Sequence, residues 1–143
     1  MHACALCKIK IILGYDETMS HNIEAAADIY LMPSTFEPCG LNQLYSLRYG
    51  TLPIVRNVGG LADTVIDTTE ETIEDGSANG FVVTEHTVEA LSKSIKRALE
   101  LNKDKDLWSQ LQRNAMSREF SWQKSASEYV SLYTLALTDI TLT

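Results

Sequence analysis

The chain has 143 residues, 45% of them hydrophobic, and its 12 basic and 19 acidic residues give a net charge of −7 at pH 7. This length predicts one domain with its own core, and the acidic balance without a basic block argues against nucleic acid and anionic membranes as partners. No apolar run is long enough to span a bilayer and the start lacks a signal-peptide pattern, so the expected location is the cytoplasm.

Residues 1–7 contain a C-x-x-C pair, Cys4 and Cys7, beside His2. Three potential ligands without a fourth are a weak zinc signal, and a redox C-x-x-C normally follows a strand rather than preceding one. We therefore expect no metal site here. We place the segment 1–7 outside the domain, which is predicted to span residues 8–143.

The next stretch predicts a strand followed by a short helix. Lys8–Leu13 is expected to be a strand that ends at Gly14, which puts Tyr15 at its carboxyl end. The aromatic face of Tyr15 can stack on a nucleotide base, or the ring can pack against the strand end. The helix is expected at Ser20–Ala27, with Ile23 and the alanines inward.

A βαβ unit is predicted next. Asp28–Met32 is short, apolar and bounded by Pro33, as a buried strand is. Leu41–Tyr49 carries apolar residues at helical spacing and is stopped by Gly50, after which Pro53–Val55 forms the following strand. Two strands joined by one helix are parallel, with a right-handed crossover.

The loop between this strand and helix lies at the carboxyl edge of the sheet, where ligands of open α/β folds bind. Gly40 permits close approach of the backbone to a ligand. A phosphate group can bind to the free backbone amides at the positive end of the helix. These amides belong to Cys39, Gly40, Leu41 and Asn42. Glu37 suits hydroxyl groups on whatever the phosphate carries; alternatively it is an acidic residue of the first helical turn.

Two further features follow the second strand at the same edge. Arg56 can offset phosphate charge, or it is a solvated surface arginine. Gly59 and Gly60 allow a turn with positive φ and near approach to a ligand, or they form a tight strand-to-helix turn without ligand contact. We treat these three residues as second-rank candidates.

The rest of the chain is predicted as one loop, one strand and three helices. Asp67–Asn79 is acidic and polar, which indicates a solvated surface loop with a turn at Asp75-Gly76. Gly80–Val83 is the next strand. The fold class is therefore α/β, a mostly parallel sheet with helices on both faces.

The three helices are expected at Val88–Asn102 with Thr87 as N-cap, at Lys105–Ser117, and from Trp122 onward with Ser121 as N-cap. The last helix has an inward stripe, comprising Trp122, Ala126, Tyr129, Val130, Tyr133 and Leu137. Aromatic stripes of this kind usually belong to a core.

Three runs carry a resemblance to a known family. FEPCGLNQLY from residue 36, YGTLPIVR from residue 49 and GGLADTV from residue 59 closely resemble bacterial glycogen synthases and plant starch synthases. The similarity extends from about Lys8 to Tyr133. It implies the Rossmann-like C-terminal half of a retaining glucosyltransferase of the GT-B architecture. The implied reaction moves glucose from ADP-glucose to the non-reducing end of an α-1,4-glucan, with ADP as product and no metal or other cofactor.

The resemblance also implies roles for individual residues. Tyr15 matches the tyrosine that stacks on the nucleotide base, and the amides of Cys39–Asn42 match the diphosphate cradle. Glu37 matches the residue that holds the glucose hydroxyls and orients the anomeric carbon. Tyr45 stands where the wider superfamily has a second glutamate, so a carboxylate contact to the ribose from that position is not expected.

The family's K-x-G-G-L motif and its leaving-group cations have no counterpart in this chain. We therefore expect the N-terminal acceptor domain to be absent and the chain alone to be inactive. The closing helix is placed by the family toward that domain, so some of its stripe is expected to be exposed here. The alternative function is a non-catalytic nucleotide-binding or interaction module.

Overall fold

The computed structural model describes residues 10–140, with the side chains at 139 and 140 excepted. The predictions for the segment 1–7, for its Cys4 and Cys7, and for Lys8 lie outside the described residues. Three strands are present, β1 (Ile29–Met32), β2 (Leu52–Arg56) and β3 (Phe81–Val83). The helices are α1 (Glu17–Ala26), α2 (Asn42–Tyr49), α3 (Gly59–Thr64), α4 (Glu70–Glu74), α5 (Val88–Leu101), α6 (Lys105–Ser117) and α7 (Trp122–Ile140).

The three strands form one parallel sheet in the order β1-β2-β3. Successive side chains of β2 point to opposite faces of this sheet. Ile54 packs in a large buried cluster with residues of α2, α5 and α6, whereas Val55 packs in a smaller cluster with residues of α3. The predicted α/β class, with a parallel sheet and helices on both faces, is therefore confirmed.

The larger cluster is the main core of the domain. Phe81 of β3 and Trp108 of α6 stack with ring centroids 6.2 Å apart, and both are at most 3% exposed. Leu47 of α2 and Leu111 of α6 are fully buried beside them. This face of the sheet holds α2 firmly, which matters because the candidate site lies at the N-terminal end of that helix.

The predicted strand at Lys8–Leu13 is wrong over its described part. Residues 10–13 form no strand, and none of the three described strands pairs with them. The side chains of Ile11 and Leu13 are 79% and 92% exposed. An apolar run becomes a strand only when a neighbouring strand receives its backbone hydrogen bonds, so the pattern alone was not sufficient.

Helix α1 turns a different face inward from the one predicted. Ile23 is 49% exposed, whereas Glu24 is 2% exposed. The Thr51 hydroxyl donates to the backbone carbonyls of Glu24, at 2.5 Å, and of Ala27, at 2.8 Å. These bonds fix the C-terminal end of α1 to the start of β2 and thereby bury the side chain at position 24.

The buried Glu24 carboxyl has little compensation for its charge. Its Oε2 atom has no hydrogen-bond partner, and His21 Nδ1 lies 4.0 Å away. Burial raises the pKa of Glu24, and the nearby His21 lowers that pKa to a smaller extent. The folded chain therefore binds this proton more tightly than the unfolded chain does.

We expect Glu24→Gln to stabilise the chain more at about pH 7 than at about pH 4. A raised folded pKa means that stability is highest while Glu24 is protonated, and that it falls as the pH rises through the folded pKa. Glutamine does not titrate, so the variant escapes that loss. Urea unfolding at both pH values measures the difference, with the exposed Glu71→Gln as control. An equal gain at both pH values would contradict the prediction.

The stretch Asp67–Asn79 is more structured than the solvated loop that was predicted. It contains α4, whose N-terminus is capped by reciprocal hydrogen bonds between Thr69 and Thr72, a capping box. Asp67 pairs with Arg97 of α5, and the buried Asn79 side chain accepts from the Ile66 amide at 2.7 Å. Acidic composition did not reveal these contacts, because their partners lie up to 30 residues away.

The turn at Asp75-Gly76 and the helices α5 and α6 agree with the sequence. The Asp75 carboxylate accepts from the Ser77 amide at 2.8 Å, and the Thr87 hydroxyl caps α5 by accepting from the Ala90 amide. Helix α7 also forms. Its stripe is not inward, because Trp122 and Tyr133 are 84% and 62% exposed.

Candidate functional site

The loop from 33 to 41 joins β1 to α2 at the carboxyl edge of the sheet. Glu37 lies in this loop and is half-buried. The Ser34 hydroxyl donates to Glu37 Oε2 at 3.3 Å, so the carboxylate is held from its own loop. The structure thus places Glu37 where the sequence predicts it, between the end of a strand and the start of a helix.

The start of α2 leaves several backbone donors free. Leu41 is the N-cap and gives no side-chain cap. Among the described residues, no acceptor receives the amides of Cys39, Gly40, Leu41 or Asn42. Gly40 has φ +72°, a left-handed conformation that glycine adopts without strain. Free amides at the positive end of a helix are suited to an anion, as the sequence predicts.

Side chains around these amides hold the start of α2 in place without accepting hydrogen bonds from the amides. The Asn42 side-chain amide donates to the Tyr30 hydroxyl of β1 at 3.0 Å. The Cys39 thiol is exposed and points its weak donor at the Gly40 carbonyl, 3.7 Å away. Both side chains are engaged locally, so the backbone amides are the groups that remain for a ligand.

Gln43 is a site residue that sequence reasoning missed. It is fully buried, and its amide nitrogen donates to the carbonyls of Cys39 and Gly40 at 3.1 and 3.0 Å. The same nitrogen lies 3.3 Å from the Thr64 hydroxyl of α3. Gln43 therefore ties the amide loop to the next helix.

The apolar pattern of α2 did not single out the helical face on which Gln43 lies. The apolar residues whose spacing predicts α2 are Leu41, Leu44, Tyr45 and Leu47, and of these Leu47 alone is fully buried. The buried positions of α2 and its end are Gln43, Ser46, Leu47 and Gly50, which share one helical face. Leu41 is 54% exposed and Tyr45 is 39% exposed.

Gly59 and Gly60 pack directly beneath the candidate loop. The Gly60 amide donates to the Glu37 carbonyl at 3.2 Å. A Cβ added to Gly60 would lie 2.7 Å from Cys39 Cα and closer still to the Cys39 carbonyl oxygen. Gly59 has φ +44°, and a Cβ there would lie 3.0 Å from the Glu37 carbonyl carbon. The close approach that these glycines permit is to the loop backbone, so they position Glu37 and the amides; ligand contact stays a prediction.

The remaining two candidates are Arg56 and Tyr15. Arg56 ends β2 and is half-buried, and its role toward phosphate stays a prediction. Tyr15 precedes α1 and is 91% exposed. The prediction that Tyr15 lies at a strand end is wrong, because the strand before it is not formed among residues 10–13.

No three histidine, cysteine, aspartate or glutamate side chains between residues 10 and 140 come together in a way that would hold a metal ion. In the same part of the chain, no helix combines the length and the apolar character needed to cross a bilayer. The expected lack of a cofactor stays a prediction.

Comparisons with known proteins give a consistent result. The family model described as "Glycosyl transferases group 1" matches residues 7–117. A glycogen synthase of Dechloromonas aromatica (strain RCB) is 56% identical over 126 residues, which cover 88% of this chain and 26% of the relative. A glycogen synthase of Nitrosomonas eutropha is 53% identical over 130 residues, covering 91% of this chain and 26% of the relative.

A solved structure agrees with these relatives. It is described as the catalytic domain of starch synthase IV from Arabidopsis thaliana bound to ADP and acarbose. The match has a TM-score of 0.77 and 41% sequence identity, and it covers 89% of this chain and 26% of that one. The chain thus spans about a quarter of the length of the proteins that it matches.

Proposed function

Because the chain belongs to the group 1 glycosyl transferases, we propose that it is the donor-binding domain of a glycogen or starch synthase. The enzyme would be a retaining hexosyltransferase that moves glucose from ADP-glucose to the non-reducing end of an α-1,4-glucan. The observation that carries this proposal is the row of free amides at the start of α2 beside the tethered Glu37. The names of the relatives and the ADP in the starch synthase structure support the choice of donor.

The diphosphate of the donor occupies the amides of Cys39–Asn42 in this proposal. Backbone N–H groups at a helix N-terminus favour negative charge, and they favour it more as charge develops on the leaving phosphate. Because Gln43 and the two glycines hold this loop, the donors are oriented before the reaction begins. Helix dipole and basic side chains can stabilise a diphosphate, so no metal is needed.

Glu37 serves the sugar in this proposal. Its carboxylate accepts hydrogen bonds from glucose hydroxyls, and its negative charge favours the positive charge that develops at the anomeric carbon. The donor phosphate receives the proton of the attacking hydroxyl on the same face of the sugar, which accounts for retention. Ser34 keeps the carboxylate in one orientation through the hydrogen bond at 3.3 Å.

Tyr15 and the two glycines complete the donor site. Tyr15 offers an exposed ring face for the nucleotide base, and Gly59 and Gly60 hold the loop that carries the amides. The acceptor side belongs to the remaining three-quarters of the relatives' length, which we propose as the partner domain. The exposed stripe of α7 would face that domain. The chain by itself is expected to bind nucleotide without transferring glucose.

Calorimetric titration with ADP tests this proposal, with UDP as the comparison. We expect saturable binding that favours ADP. Tyr15→Ala should weaken ADP binding about tenfold, because stacking of an aromatic side chain on a base contributes roughly 1–3 kcal/mol. Tyr129→Ala is the matched control, because it removes a different exposed tyrosine, one that lies on α7. This variant should leave the ADP affinity unchanged. Absence of ADP binding in a cooperatively folded sample would reject the donor site, and detectable glucan elongation by the chain alone would reject its assignment as half of a site.

A further inference from the structure

A cavity of about 230 Å³ lies at the carboxyl edge of the sheet, and we call it the edge cavity. It is lined by Pro33 after β1, by Arg56 at the end of β2 and by Val83 at the end of β3. Helix α5 begins at its rim, where Thr87 is the N-cap. The residue after Pro33 is Ser34, which holds Glu37, so the edge cavity adjoins the candidate loop through the chain itself.

Two opposite charges line the edge cavity without meeting each other. The Nε atom of Arg56 is buried and has no acceptor, and the Arg56 side chain donates no hydrogen bond to any described residue. Glu85 lines the same cavity and forms no ion pair or side-chain hydrogen bond in the described part of the chain. A buried donor without a partner is costly, and an acceptor on a ligand in this cavity would satisfy it.

The mixed charge selects the kind of ligand. A free phosphate or carboxylate would pair with Arg56 but be repelled by Glu85, and a metal ion would pair with Glu85 but be repelled by Arg56. A hydroxyl group both donates and accepts, so neighbouring hydroxyls of one ligand can accept from the guanidinium and donate to the carboxylate. A polyol therefore satisfies both side chains, which a simple ion does not.

The walls and the size of the edge cavity fit a sugar ring. Pro33, Val83 and Leu91 present apolar surface, which suits the C–H face of a pyranose. The volume of about 230 Å³ is below the range of roughly 300–1,000 Å³ that drug-sized ligands occupy. One hexose unit is thus a better match than a whole nucleotide sugar.

We propose that the edge cavity binds one glucosyl unit of an α-glucan, with Arg56 donating to its hydroxyls and Glu85 accepting from them. This inference rests on the proposed function, which supplies the glucan. It assigns Arg56 to the acceptor instead of the diphosphate. Part of the growing glucan is then held by the donor-binding domain itself, beside the loop that carries Glu37.

Titration of the full chain with maltohexaose, followed by calorimetry and by backbone amide NMR shifts, tests the proposal. We expect saturable binding and shifts at Val83 and Val88. Arg56→Ala and Glu85→Ala should each weaken maltohexaose binding about tenfold, the effect of losing one charged hydrogen bond. The exposed Glu71→Ala and Arg113→Ala are matched controls and should bind as the unaltered chain does.

A parallel ADP titration separates this inference from the donor site. Glu85→Ala and Arg56→Ala should leave ADP affinity unchanged while maltohexaose binding falls. ADP binding without any maltohexaose binding would overturn the edge-cavity assignment and leave the proposed function standing. Loss of ADP affinity in Arg56→Ala with unchanged maltohexaose affinity would return Arg56 to the diphosphate and also overturn it. If maltohexaose binds but ADP does not, the donor site fails and the edge cavity remains.

Discussion

Gly60→Ala is expected to destabilise the chain by roughly 3 kcal/mol and to abolish ADP binding. An added Cβ would lie 2.7 Å from Cys39 Cα, against backbone atoms that cannot rotate away. The loop would have to move, and the Gly60 amide would lose the Glu37 carbonyl that it now reaches at 3.2 Å. Gly60 lies in α3, where alanine favours the helix by about 1 kcal/mol over glycine. Helix propensity therefore opposes the loss, and the expected destabilisation comes from the steric clash.

Urea unfolding with an unchanged m-value measures the loss, and calorimetry measures the ADP affinity. Gly76→Ala is the matched control. Gly76 has φ +75° but nothing within 4 Å of an added Cβ, so its substitution reports backbone strain without a clash. We expect it to cost about 1 kcal/mol and to leave ADP binding intact. If Gly60→Ala is no more damaging than Gly76→Ala, the glycines do not hold the loop.

The sequence predicted those features of the site that depend only on residues close together along the chain. A short apolar strand, a loop with Gly40 and a helix that ends at Gly50 follow one another locally, so their order alone places Glu37 and the amides at the sheet edge. The strand positions of the sheet followed for the same reason. The hydrophobic runs of β1, β2 and β3 are bounded by glycine or proline, which located these strands, although the similar run at residues 10–13 forms none.

The parts that were missed depend on distant partners. Gln43 bonds Thr64, which is 21 residues away, and Gly60 packs on Cys39, so neither role has a local signature. Residues 10–13 and α7 have apolar patterns that predict burial, yet Leu13 is 92% exposed because no described element covers it. A hydrophobic pattern indicates that a surface can be buried. Whether it is buried depends on the other elements of the fold that pack against it.

The second prediction concerns the part that Glu37 plays in the chemical step. The test is a chimera in which this chain replaces the matching quarter of the Dechloromonas aromatica glycogen synthase. Glu37→Ala in that chimera should lower kcat about 10²–10³-fold, because one preorganised group aimed at developing charge contributes that much. Glu37→Gln should lose nearly as much, since the amide can hold hydroxyls but carries no negative charge.

The split between kcat and KM decides what Glu37 does. If the carboxylate acts mainly on the positive charge at the anomeric carbon, kcat falls while KM for ADP-glucose changes little. If it only holds the ground-state sugar, KM rises and kcat is kept. Ser34→Ala, which removes the hydrogen bond at 3.3 Å but leaves the charge, should cost far less than Glu37→Ala. Near-normal turnover of Glu37→Ala would remove this residue from the mechanism, while the amides at the start of α2 could still bind the diphosphate.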